Sequence, residues 1–223
     1  MHFINFIIFC MLTIISGATY AGVIVGATRV IYDGNKKEVS LSVRNPEKNT
    51  NYLIQSWLDN YSDTDNKKVP FTVTPPLFLL NSNRENLLRI IKIADNSPTD
   101  RESVYWLSVK SVAAVPNTTA NRLQIAVRTR IKLFYRPENL TGKPEEAYKF
   151  LQFSQSGSQL KVTNPTPYHV SFFNLSVGGY SIKEPGMVAP MGSQILSLPL
   201  GVKGAVEWQA INDYGGHSDI YRQ

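Results

Sequence analysis

The chain has 223 residues, 43% hydrophobic and 18% charged, with 23 Lys and Arg against 17 Asp and Glu for a net charge of +6. That is ample apolar material for one large or two small packed domains, and it excludes an intrinsically disordered chain. Its only cysteine, Cys10, lies near the start, which excludes an internal disulfide and leaves the rest without a thiol nucleophile or a cysteine zinc site.

Residues 1–21, MHFINFIIFCMLTIISGATYA, are apolar from Ile4 to Ile15 and then turn small and polar. This reads as a secretory signal peptide cleaved after Ala21, although no Lys or Arg precedes the apolar run. As a membrane anchor the run is too short to span a bilayer comfortably. The mature chain is therefore expected outside the cytoplasm and free of cysteine.

Period-two patterns then recur in order: GVIVGATRVIY, KEVSLSVRN, NYLIQSWLDN, LLRIIKI, SVYWLSVKSV and RLQIAVRTRIKLFYRP. Turn-forming stretches such as YDGNKK, NPEKNT and TPP separate them. PEEAYKFL, residues 144–151, predicts one or two helical turns, and QLKVTN, HVSFFNLSV, QILSLPL and AVEWQAIN continue the strands. Short strands with frequent turns predict an all-β fold of two sandwiches. A boundary near Gly142 follows the punctuated RPENLTG, where the charge balance also changes. Residues 22–142 hold 17 Lys and Arg against 11 Asp and Glu, whereas residues 143–223 hold 6 against 6. The basic first half is either a solvated surface or the face that meets an anionic group. No internal repeat aligns by eye.

Within residues 122–137, Leu123, Ile125, Val127, Thr129 and Ile131 alternate with Gln124, Ala126, Arg128, Arg130 and Lys132. Side chains alternate across a strand, so one face is a row of apolar pegs and the other is basic. Catalytic chemistry is not expected. The histidines are His2, His169 and His217, and the consecutive His217, Ser218 and Asp219 point in alternating directions, unlike a nucleophile triad. Neither a phosphate-cradling glycine loop nor a metal-ligand cluster is apparent, so no enzyme activity, metal, cofactor or small-molecule substrate is expected. An exported chain without a recognisable nucleic-acid module is also not expected to bind nucleic acid.

The segments TRVIYDG, YLIQSWLDN, VTPPLF with ENLLRI, DRESVYWLSV, QIAVRTRIKLFYRPENL, LKVTNPTPYHVSF and INDYGG occur in this order along the mature chain. Together they resemble the periplasmic chaperones of the chaperone-usher pathway, which escort pilus subunits to an outer-membrane usher. The short connection before Leu123 and the lack of a cysteine pair resemble the short-loop branch. The resemblance implies two immunoglobulin-like sandwiches at an angle with a cleft between them. It implies that Leu123, Ile125 and Val127 belong to a strand lent to an incomplete subunit; Ile131, near the base of that strand, is expected to fill the chain's own core. It also implies that Arg29 and Lys132 anchor the subunit's C-terminal carboxylate, and that Glu102, Arg136 and Asp213 form a structural charged network between the domains. Free copies would be expected to cap the exposed strand by homo-oligomerising. The chain departs from the family's common residues at Ser108, at Ala113 and Ala114, and at Leu79. The rival reading is a two-sandwich surface adhesin or carbohydrate-binding protein with Trp57, Trp106 and Trp208 as a platform; most of these tryptophans are expected in cores.

Overall fold

The computed structural model describes residues 22–114 and 124–223. The alternating segments of the first half become β1 (Ile24–Val25), β2 (Arg29–Asp33), β3 (Glu38–Arg44), β4 (Tyr52–Asn60), β5 (Phe71–Thr74), β6 (Leu77–Leu80), β7 (Glu85–Lys92), β8 (Ser103–Ala113) and β9 (Ala126–Arg136). They form two sheets, in the orders β1-β3-β7-β5 and β2-β9-β8-β4-β6. Between the sheets lie Tyr32, Val43, Ile54, Leu88, Leu107 and Leu133, all fully buried. In β8 the odd positions Tyr105, Leu107 and Val109 enter this core, as period-two alternation demands.

The first strand changes sheets part-way. β1 runs antiparallel to β3, whereas β2 runs parallel to β9. Gly26 marks the crossing, where its amide donates to Ser42 O at 2.9 Å and any Cβ would strike the Ser42 hydroxyl. This switch decides how much of β9 is covered. β2 pairs only with Lys132–Arg136, while β8 pairs with β9 from Ala126 to Tyr135 in one unbroken register.

A 3₁₀ segment over Pro144–Phe150 leads into the second half. There β10 (Gln152–Ser156), β11 (Gln159–Asn164), β12 (Val170–Val177), β13 (Tyr180–Ser181), β14 (Met187–Val188), β15 (Gly192–Ser197), β16 (Val206–Ala210) and β17 (Tyr221–Arg222) follow. One sheet is β10-β11-β15; the other is β13-β12-β16-β17, with β14 added against β12. Its core gathers Leu160, Val162, Leu175, Val177 and Trp208. The Trp208 indole N–H donates to Tyr148 O at 2.9 Å, fastening the 3₁₀ segment over the second core.

Two expectations need correction. TPP is the expected break between strands, closed through a cis Thr74–Pro75 bond, but the strands on either side of it, β5 and β6, were not among the expected ones. Of the three tryptophans only Trp208 is buried; Trp57 and Trp106 lie half-exposed on the outer face of the sheet. Trp106 follows the parity of its strand, whose odd neighbours take the core. No helix among the described residues is long and apolar enough to cross a membrane.

Candidate functional site

The site lies where the two sandwiches meet and continues along β9. Parallel pairing places Arg29 directly beside Lys132 on the same face. Arg29 Nη1 donates to Ile211 O at 3.2 Å, but its buried Nε has no partner. Among the described residues neither Arg29 nor Lys132 is in an ion pair. Burial chiefly, and then the Arg29 charge, hold the Lys132 ammonium below the ordinary lysine range. Burial likewise lowers Arg29, offset in part by Asp213 and Glu102. Two adjacent, poorly solvated cations are stabilised by an incoming carboxylate, whose oxygens accept charge-assisted hydrogen bonds. Arg29 lines a cleft of about 420 Å³ together with Phe134, Arg136, Tyr148, Ile211 and Tyr214.

Behind these cations a charged network ties the sandwiches together. Arg136, the last residue of β9, donates to both Asp213 oxygens, Nη1 to Oδ2 at 2.8 Å and Nη2 to Oδ1 at 3.1 Å. Its Nε and Nη2 also donate to Glu102 Oε1, at 3.0 and 2.9 Å. Burial opposes the Arg136 charge, but hydrogen bonds and fields from Asp213 and Glu102 outweigh it and raise its pKa further.

Glu102 is only 3% exposed, so all its acceptor capacity must be met within the protein. The second oxygen, Oε2, accepts from the His169 backbone at 2.8 Å and lies 2.9 Å from His169 Nδ1, which a carboxylate partner requires to carry a proton. Sequence reasoning did not find His169 as part of this network. Its only sequence signal is an isolated histidine after NPTPY.

Asp213 is presented by a turn whose centre is Asn212. Asn212 Oδ1 accepts from the amides of Tyr214 and Gly216, at 3.0 and 2.9 Å. Gly215, at φ +86°, packs against the Thr28 hydroxyl so closely that a Cβ would collide with it. The turn that carries Asp213 is thus seated on the loop that leads into Arg29.

Toward the start of β9 and just before it, the apolar pegs emerge. Ile125 is 67% exposed and Val127 54%, whereas Ile131, of the same parity, is 7% exposed and belongs to the first core. Leu123 lies outside the described residues. From Ala126 to Ile131 one edge of β9 pairs with β8 and the other with no strand among the described residues. Hydrophobic side chains and unpaired backbone groups therefore stand together on one strand.

The pattern of the whole chain matches two family models in tandem. The N-terminal PapD domain of pili and flagellar-assembly chaperones covers residues 22–141, and the C-terminal PapD domain of pili-assembly chaperones covers residues 146–221. The chain belongs to the PapD family of pilus-assembly chaperones. The chaperone protein LpfB of Salmonella typhimurium is 43% identical over 219 residues, spanning 96% of this chain and 94% of LpfB. FimC of Escherichia coli K12 is 40% identical over 212 residues, covering 94% and 87% of the two chains. The fold agrees with the solved Salmonella enterica SafB chaperone, in complex with the SafA pilin, at a TM-score of 0.82 and 35% identity, over 93% of this chain and 98% of that one.

Proposed function

We propose that this PapD-family chain is a periplasmic chaperone that holds a pilus subunit by lending it the open edge of β9, and passes it on to an outer-membrane usher. The observation that carries this reading is a continuous track: the exposed Ile125 and Val127, the edge from Ala126 to Ile131 that no strand among the described residues pairs, then the adjacent cations Arg29 and Lys132. An extended guest strand gains backbone hydrogen bonds along that edge, the mode of strand addition used by chaperone–pilin pairs. Burying each aliphatic peg contributes roughly 1.5–3 kcal/mol before the cost of ordering, with Leu123 as a third peg. The guest's terminal carboxylate fills the place between Arg29 and Lys132, where no ion pair among the described residues competes for it. The Glu102–Arg136–Asp213 network holds the sandwiches at the angle that keeps this place open.

Residues 1–21 act as the cleaved signal, residues 22–142 form the strand-lending domain and residues 143–223 the second domain. The carbohydrate-platform alternative finds no support in the tryptophans: Trp208 is buried, and arginine guanidinium groups cover Trp57 and Trp106.

Periplasmic co-expression with the SafA pilin as the first subunit probe tests the proposal. Recovery of the pilin should fall at least about tenfold with Arg29→Ala or Lys132→Ala, as loss of a charge-assisted hydrogen bond implies. Ile125→Asp should abolish capture while leaving the melting temperature of the free chain within a few degrees. Unchanged recovery in the Arg29 and Lys132 variants would sink the anchor, and global unfolding of Ile125→Asp would make that residue part of the chain's own core.

A further inference from the structure

The basic face of β9 extends beyond the carboxylate anchor, and its arginines have work that solvation does not explain. Arg128 Cζ lies 4.8 Å from the centre of the Trp57 ring, and Arg130 Cζ lies 4.5 Å from that of Trp106. Lys132 Nζ continues the row at 5.9 Å from Tyr61. The rings are themselves fixed. Trp106 stacks on Tyr61 with centroids 5.2 Å apart and donates its indole N–H to Tyr61 O at 3.2 Å. Trp57 donates to Asp59 Oδ2 at 2.9 Å, and that same oxygen accepts from Arg128 Nη2 at 3.1 Å. Arg128 also makes two hydrogen bonds to the buried Ser108 hydroxyl, at 3.2 and 2.8 Å.

We infer that this cation–aromatic ladder is a splint that holds the lent strand extended before a guest arrives, making Arg128, Arg130, Trp57 and Trp106 positioning residues for subunit capture. The inference rests on the proposed reading of β9 as the lent strand. An edge strand with one unpaired side and protruding pegs loses order easily, because half its backbone partners are missing. The ladder supplies side-chain restraint on the face that the guest does not need. Every second residue is tied across β8 or to β4 and the residue just after it, while Ile125 and Val127 remain exposed. A strand already straight leaves less conformational freedom to be lost on binding, so the effect belongs mainly to the rate of capture.

Hydrogen exchange on the free chain tests this without any subunit. Arg130→Gln and Trp106→Leu should each speed exchange over residues 126–131 by roughly two- to fivefold, the equilibrium equivalent of one cation–π contact, with β3 and β7 unchanged. Arg130→Lys, which keeps a cation over the ring, should restore much of the protection. With the SafA pilin as probe, Arg130→Gln should slow association more than it speeds dissociation. Parental exchange over 126–131 in Arg130→Gln, or acceleration spread evenly through the first sandwich, would overturn the splint. Failure of the parent chain to capture SafA, with exchange responding as described, would instead count against the lent-strand reading.

Discussion

Lys132 and Arg29 sit side by side with no ion pair to either among the described residues, and burial holds each of them below its ordinary pKa. For Lys132 the sign of the consequence is fixed. On the proposed anchor a bound carboxylate favours the charged form, so the Lys132 pKa should climb on subunit docking, and complex formation should take up a proton in the window between the free and bound values. Affinity is full below the free-state value and declines as pH rises through that window. Lysine-labelled NMR should record the climb on adding a pilus subunit that the chain captures, and no comparable climb with the same subunit amidated at its C-terminus. Arg136 makes a second, opposite case, because it is already satisfied on both sides. Arg136→Met strands the buried Glu102 charge and should destabilise the chain by about 3–5 kcal/mol in thermal or denaturant unfolding, with Glu102→Gln recovering part of the loss in the double variant. His169 escaped sequence reasoning because a single histidine carries no pattern; only the fold brings its ring and amide to Glu102.

At the level of elements, β9 divides a single alternating pattern between two destinies. Ile125 and Ile131 are chemically identical and share parity, but one protrudes and the other is packed. Ile131→Ala should cost about 2–4 kcal/mol in unfolding, whereas Ile125→Ala should change stability by less than about 0.5 kcal/mol. The alternation was legible in the sequence, but the place where burial gives way to exposure was not, because it depends on where β2 stops pairing. The two sandwiches also share a device that reading by eye did not align. Asn45 and Asn164, each before a proline and each fully buried, cap nearby carbonyls. Asn45 Nδ2 donates to Thr50 O and Asn81 O at 2.7 and 3.1 Å, and Asn164 Nδ2 to Tyr168 O and Ala189 O at the same distances. Replacing either by Ala should cost about 1–3 kcal/mol, read by denaturant unfolding, because buried carbonyls lose their donor. Two identical dipeptides are too short a signal to reveal a repeat; the shared hydrogen-bond geometry is what exposes it.

For the molecule as a whole, strand spacing and turn residues made an all-β fold legible, since period-two burial writes itself directly into sequence. Tertiary accounts, such as Trp57 and Trp106 lying beneath arginines, were not legible because a cation on one strand and a ring on another have no fixed separation in sequence. The free protein carries an apolar open edge, and a second copy is the nearest available cover. Sedimentation should therefore show concentration-dependent self-association that Ile125→Lys reduces, while the Arg29→Ala variant retains it.

The unbroken pairing of β9 with β8 makes the chaperone a ruler. If a guest's final carboxylate is pinned beside Lys132, each pocket of that guest is read at a set number of steps from its end. One residue added to the guest's tail would turn its opposite face to the pegs; two would restore the face but shift it by a notch. Length, as much as composition, then decides which polypeptides this molecule accepts.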